Sequence, residues 1–396
     1  MKIMQPLAIT AKTMVNACGK GSAKTLDALI RNQSGLSQQQ FAGVDFDTWI
    51  GEVKGVENLS LEPELAHFSC RNNLLARMAL DTDNFRESVD EAVAHYGAER
   101  VGLFVGTSTS GGAETEKAYE YALQHAGVFP DNYQLMNSQN LASLQNYVEQ
   151  SLGLRGPGHT ISTACSSSSK VFSAAYRHIV SGQCDAAVVG GVDSLCLTAL
   201  YGFNSLQLIS NQICRPYDEN RNGINIGEAA GFILLEAAEL GHGKVKFKGY
   251  GESSDAYHMS TPHPDGDGAV KAMNDAISRS GLDTKAIEYI NLHGTATRNN
   301  DAAEALGLLR VFGDSAYCSS TKGFIGHTLG AAGITEAIIS ILALEKNILP
   351  GNVNLQKIDP QIGIQPLIET IDYSVENVMS NNFGFGGSNS SLVFGW

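Results

Sequence analysis

One succession of elements occurs twice along this chain, and that repetition limits its possible folds more than any single motif does. Strand-like Arg100-Val101-Gly102-Leu103-Phe104-Val105 runs into Gly106-Thr107-Ser108-Thr109 and a Glu-containing helix. Ile287-Glu288-Tyr289-Ile290-Asn291-Leu292 runs through His293 into Gly294-Thr295-Ala296-Thr297 and another helix. Both halves also close alike: Gly227-Glu228-Ala229-Ala230-Gly231 feeds the apolar strand Phe232 to Glu236, and Gly384-Phe385-Gly386-Gly387 feeds Leu392-Val393-Phe394. Strands alternating with helices predict a largely parallel sheet covered by helices, and self-similarity at long period predicts duplication. The 396 residues exceed one ordinary core. Two halves are therefore expected, 1–245 and 246–396. Two unrelated α/β halves would also show strands ending in glycine, and the repeat alone leaves that reading open.

Chemistry concentrates at Cys165, in Thr163-Ala164-Cys165-Ser166-Ser167-Ser168-Ser169-Lys170, where an apolar run ends and a small-residue helix begins. Unpaired N–H groups and the positive helix end stabilise a thiolate there, so its pKa is expected to fall toward neutrality. His293, in His293-Gly294-Thr295-Ala296-Thr297, and His327, in Gly326-His327-Thr328, complete the outline of a nucleophilic site. Cys184, Cys196, Cys214 and Cys318 lie among apolar or small residues and read as packing. His258 and His263, in the 255–264 loop, read as solvated or as lining an entrance.

Composition excludes several classes. A formal charge of −14 with no basic run argues against a nucleic-acid partner. Seven cysteines, an odd number without a CxxC pair, fit reduced thiols and a cytoplasmic location better than a disulfide framework or zinc site. The start, Met1-Lys2-Ile3-Met4-Gln5, has no apolar h-region, and no segment reaches the roughly 18 apolar residues of a membrane span, so a soluble protein is expected. Neither Gly190-Gly191 nor Gly384-Phe385-Gly386-Gly387 opens a helix with dinucleotide-binding spacing, and no nucleotide site is expected.

Four strings, in order, carry a family likeness: Thr163-Ala164-Cys165-Ser166-Ser167-Ser168; His293-Gly294-Thr295-Ala296-Thr297; Lys322-Gly323-Phe324-Ile325-Gly326-His327-Thr328-Leu329-Gly330-Ala331-Ala332-Gly333; and Asn382-Phe383-Gly384-Phe385-Gly386-Gly387-Ser388-Asn389. With them the chain resembles, over nearly its whole length, the elongating β-ketoacyl-acyl-carrier-protein synthases of the thiolase superfamily. The resemblance implies a five-layered αβαβα fold, usually dimeric, and decarboxylative Claisen condensation of an acyl thioester with malonyl-acyl-carrier protein. It implies that Cys165 accepts the acyl chain, that His293 and His327 donate hydrogen bonds to the enolate formed on decarboxylation, and that the backbone N–H groups of Cys165 and Phe385 hold the tetrahedral oxyanion. Phe385 would gate the acyl site, with Gly384 and Gly386 freeing its backbone. Lys322 would pair with Glu336, Thr295 and Thr297 would bond the phosphopantetheine amides, and Asn291, Glu304, Glu336 and Ser380 would lie near an ion-pair or monovalent-cation site. No catalytic metal and no cofactor are implied beyond the phosphopantetheine of a separate carrier protein.

The departures narrow the reading. No cysteine follows Cys318, whereas degradative thiolases need a second one in the turn that here holds Phe385. Gly326-His327 gives Cys-His-His, where initiation-type synthases carry Cys-His-Asn. A noncatalytic chain-length-factor-like subunit would lack Cys165, and a coenzyme A-dependent acyltransferase or thiolase would keep the cysteine without decarboxylation. Gly106-Thr107-Ser108-Thr109-Ser110-Gly111-Gly112 resembles the variant of bacterial aryl polyene clusters. Residues 115–145, with Tyr119, Tyr121, His125, Phe129, Tyr133 and Met136, are expected at the dimer interface and pocket floor. Arg298-Asn299-Asn300 stands where the family has Pro and Gly. An acidic carrier needs a local basic patch, for which Arg71, Arg77, Lys117 and Arg215 are candidates. The stretch 132–152 carries no basic residue, which points to docking through a second, nonidentical subunit, so a heterodimer with a chain-length-factor-like ketosynthase is expected, with a homodimer as the alternative.

Overall fold

Strands that are apolar on both faces need cover on both faces, and the architecture follows from meeting that need twice. A computed structural model describes residues 2–39, 41–238, 245–313 and 315–396. The first half supplies β1 (Leu7–Asn16), β2 (Val101–Gly106), β3 (Gly158–Ile161), β4 (Ala186–Asp193) and β5 (Ala229–Ala237). The second supplies β6 (Lys246–Ser254), β7 (Tyr289–Asn291), β8 (Tyr317–Ser319), β9 (Asn377–Gly384) and β10 (Ser388–Gly395). Strands β2, β4 and β9 are buried along their whole length.

The spatial order is β1-β5-β4-β2-β3 in one half and β6-β10-β9-β7-β8 in the other. Pairing repeats as well. In each half two antiparallel pairs are followed by two parallel ones, and β1 meets β6 antiparallel at Leu7↔Phe247. The chain is therefore one unit built twice. The expected division at 245 abuts residues 239–244, which lie outside the described residues.

Helices supply the remaining layers. α1 (Arg71–Leu80), α2 (Phe85–Tyr96) and, after α3 (Gly112–Gln124), α4 (Ala142–Leu152) cover the outside of the first half. α5 (Ser167–Val180) lies inside, and α6 (Leu197–Ser205) beside the site. α7 (Asp267–Ser280) covers β6 and β10 from outside, with α8 (Arg298–Phe312) packed on it, and α9 (Ala332–Lys346) lies inside against α5. Every residue of α9 from Ala332 to Leu344 is buried, as expected of a helix between two sheets. Its Ile334, Ile338 and Leu342 share a cluster with Phe172, Ile233, Phe247 and Phe394 from both halves. The result is the five-layered αβαβα arrangement expected from the sequence.

Two glycines set how closely the α5 start can approach. A Cβ on Gly106 would stand 2.5 Å from Ser168 N, and one on Gly333 2.3 Å from Ser169 N. Backbone therefore meets backbone on both sides of the turn that carries Cys165.

Candidate active site

Cys165 lies two residues ahead of α5, with Ser166 as the N-cap. Ala164 before it has φ +52°, a conformation that costs a non-glycine residue about 1 kcal/mol or more and is held only where surroundings enforce it. Ala296 (φ +64°) and Leu329 (φ +53°) are similar outliers beside His293 and His327, so each reactive side chain adjoins a strained residue. The thiol is enclosed, and burial pushes it up to about 11, against the lowering effects of Lys322 and of the Phe385 and Cys165 backbone N–H groups. This corrects the expectation of a thiol near neutrality: loss of water outweighs the helix end. The two N–H groups expected to form the oxyanion hole are the ones that reach the sulfur.

The Cys165 sulfur and ring nitrogens of His293 and His327 lie within 4.8 Å of one another, close enough to surround one small group or to ligate a metal ion. The imidazoles stand 5.4 Å apart at 85°. Their tautomers follow from their neighbours. Leu329 N donates to His327 Nδ1 at 3.1 Å, and Lys322 Nζ lies 3.2 Å from His293 Nδ1. A donor on each Nδ1 leaves the proton on each Nε2. Burial, then the Lys322 charge, holds both rings well below the usual histidine range, so both are neutral donors at physiological pH.

Lys322, itself buried, donates to the His293 carbonyl (2.5 Å) and to Glu336 Oε1. Asn382 Nδ2 donates to Glu336 Oε2 at 2.5 Å, and Asn291 Nδ2 to the Glu336 carbonyl at 3.3 Å. The expected Lys322–Glu336 pair is thus present with Asn291 beside it, and Ser380 is buried on the neighbouring strand β9. Glu304 stands apart from that group. It lies under the His293 turn, accepting from His293 N and Gly294 N (each 2.8 Å) and from the Tyr217 hydroxyl (2.8 Å), and burial raises it to about 7. Asp301 holds the next peptides, Thr295 N at 3.0 Å and Ala296 N at 3.2 Å, and is countered by Arg221.

Two cavities meet at Cys165. A cleft of about 470 Å³ reaches it past Thr295, Thr297 and Arg298, with the two threonine hydroxyls 2.8 Å apart. A chamber of about 620 Å³ extends the other way, past Thr109, Thr115, Tyr119 and Cys196. Phe385 and Phe203 line both, their rings tilted by 40° with centroids 5.5 Å apart, so this pair of rings forms the partition between them. Gly386, with φ +79°, allows the turn just after Phe385. Gly386 N donates to the Met259 carbonyl at 2.7 Å, and Asp255 N to the Gly387 carbonyl at 2.9 Å, which ties the partition to the 255–262 loop.

Several participants escaped sequence reasoning. Asp193 accepts from Thr107 Oγ1 (2.7 Å), Ser108 N (2.7 Å) and Gly330 N (2.5 Å), joining the chamber wall to the turn after His327. Arg221, Phe203 and the Asp255–Met259 latch gave no local signal. Arg298 did, as a departure from the family pattern. Arg71, Arg77, Lys117 and Arg215, the basic candidates, line neither cavity. Arg71 is bound to Glu228, Arg77 faces Asp81 and Glu62, and Lys117 lines a separate recess with Glu114 and Tyr121. Likewise Ser260, Thr261 and Pro262, rather than His258 or His263, line the cleft.

Fold and site together define a condensing enzyme of the thiolase type, with one cysteine and two histidines brought together at its centre. Family comparison agrees: residues 4–240 match the beta-ketoacyl synthase N-terminal domain and 245–356 the C-terminal domain, and the chain belongs to the β-ketoacyl synthase family. It is 32% identical over 426 residues to a 3-oxoacyl-[acyl-carrier-protein] synthase 2 of Vibrio cholerae, covering 98% of each chain. Among solved structures it is similar to the ketosynthase ApeO, in complex with its chain length factor ApeC, from Xenorhabdus doucetiae (TM-score 0.90, 36% identity, 99% of this chain and 98% of that one). A beta-ketoacyl synthase from Burkholderia phymatum follows at TM-score 0.86 and 27% identity, covering 99% of each. The activity is the family's, condensation of an acyl thioester with malonyl-acyl-carrier protein. Among the described residues no helix is long and apolar enough to cross a membrane.

Proposed function

We propose that Cys165, His293 and His327 carry out this condensation through an acyl-enzyme, on substrates that arrive on the phosphopantetheine of a separate carrier protein. The observation that carries the assignment is the convergence of a thiol, two neutral Nε2–H donors and two backbone N–H groups on one small volume. The Cys165 sulfur attacks the incoming thioester carbonyl, the carrier sulfur leaves, and the thiol proton departs with it. The malonyl thioester then loses carbon dioxide while both imidazoles hydrogen-bond its carbonyl oxygen, on which the enolate charge gathers. Its carbon attacks the acyl-Cys165 carbonyl, whose oxygen is held by Cys165 N–H and Phe385 N–H. Collapse returns Cys165 sulfur, which regains a proton, and leaves the β-ketoacyl carrier. Lys322 positions His293, and Thr295 and Thr297 face the arm in the cleft.

The partner reading rests on α3 and the segment after it, where Tyr121, Leu123, Val128, Phe129, Leu135 and Met136 form an exposed apolar surface. A second ketosynthase-fold chain would cover it, and Tyr119 on the same helix lines the acyl chamber. The likeness to ApeO supports a chain-length-factor-like partner and an aryl polyene product; the two halves are taken to divide at 245, and the site of action is the cytoplasm.

Intact-mass spectrometry of carrier proteins, after incubation with acyl-carrier and malonyl-carrier protein, tests the reading. Elongated β-ketoacyl carrier, absent with Cys165→Ala, is the expected result. Acylated Cys165 without elongation would mark a transferase or a missing subunit, and an unmodified enzyme would mark a noncatalytic chain.

A further inference from the structure

The cleft that leads to Cys165 is poor in charge. Among the described residues lining it, Arg298 is the only Lys or Arg and Asp255 the only carboxylate. Asp255 is committed, accepting from Asn389 Nδ2 at 2.7 Å and from His263 N at 3.3 Å. Arg298 is not: it is exposed, and among the described residues it forms no ion pair within 4 Å. Asp359, whose carboxyl it helps hold low, is already bound by Arg221 Nη1 at 2.7 Å.

Arg298 opens α8, and the Thr297 side chain does not cap that helix, so among the described residues no side chain caps its first-turn N–H groups. The one acid of that turn, Asp301, points inward onto Thr295, Ala296 and Arg221. Exposure rises outward along the cleft: Cys165 and Thr295 are buried, Thr297 is half-buried, and Arg298 and Asn299 are exposed. A pantetheine arm has its groups in the same order, with the thioester at the reacting end, amides along the stem and a phosphodiester at the carrier.

We propose that Arg298, with Asn299 and the open end of α8, is an anion subsite for the phosphodiester of that arm. The proposal rests on the carrier-dependent reading above and assigns a task to the segment that departs from the family pattern. A chain of formal charge −14 repels an acidic carrier at long range, and one uncommitted guanidinium at the mouth gives the arm a local attractor.

The test compares Cys165 acylation by acyl-pantetheine, acyl-phosphopantetheine and acyl-carrier protein in the wild type, Arg298→Ala and Arg298→Lys. With Arg298→Ala, kcat/KM is expected to fall about ten- to hundredfold for both phosphorylated donors and to stay unchanged for acyl-pantetheine. Arg298→Lys should keep part of the difference, and added salt should weaken acyl-phosphopantetheine in the wild type, less in Arg298→Lys and not in Arg298→Ala. Equal losses for all three donors would mean a distorted site and overturn the proposal. Loss with the carrier alone would assign Arg298 to carboxylates on the carrier surface and also overturn it, as would no loss at all. A wild type acylated by none of the donors would remove the reading beneath it, and the proposal with that reading.

Discussion

At Cys165 two effects with opposite sign meet, and burial prevails. The helix end and Lys322 favour thiolate, while enclosure disfavours it and sets the resting pKa at about 11. Because the raised value lies above physiological pH, the resting group is the thiol, and its reactive fraction grows about tenfold per pH unit until that value is reached. Alkylation by iodoacetamide should therefore accelerate steadily from pH 7 to 10 without levelling. A plateau near pH 7, read from the rate of mass gain at Cys165, would show the helix end prevailing instead. The position and partners of this residue were legible in the sequence, since the motif and the helix start are local. Its acidity was not, because burial depends on Phe385 and α9, which arrive from the far half of the chain.

Among the elements, the turn carrying Lys322 and the helix α9 carrying Glu336 are joined by one enclosed ion pair. Removing one member leaves an unpaired buried charge, which costs about 3–5 kcal/mol, whereas removing both charges with similar volume is close to neutral. Lys322→Met should lower the denaturation midpoint strongly, and Lys322→Met with Glu336→Gln should recover most of it. Chemical denaturation of the three proteins checks this; equal loss in the single and double variants would show that the pair contributes nothing beyond its separate parts. The family resemblance implied this pairing, and the strand–glycine–helix repeats made the duplicated topology legible. What it could not supply were contacts such as Asp193 with Gly330 or Arg221 with Asp359, each joining positions more than a hundred residues apart. Glu304 is only 11 residues from His293, and its separate post beneath that turn was hidden instead by the path of the turn itself, which no local motif announces.

Across the whole molecule, the exposed apolar surface of α3 and the segment after it adjoins the acyl chamber. Leu123, 87% exposed, stands there with Val128 and Met136 in a group of exposed apolar side chains, the kind of patch that marks a partner surface. Leu123→Glu should leave the fold intact by circular dichroism, shift light-scattering mass to a single chain and reduce condensation. An unchanged mass would place the partner surface elsewhere. Phe385, the ring shared by cleft and chamber, has a consequence for time as well as space. If the pair of rings, Phe385 and Phe203, moves during the cycle, loading and extension take turns, and the history of the cycle is stored in which side of those rings is occupied.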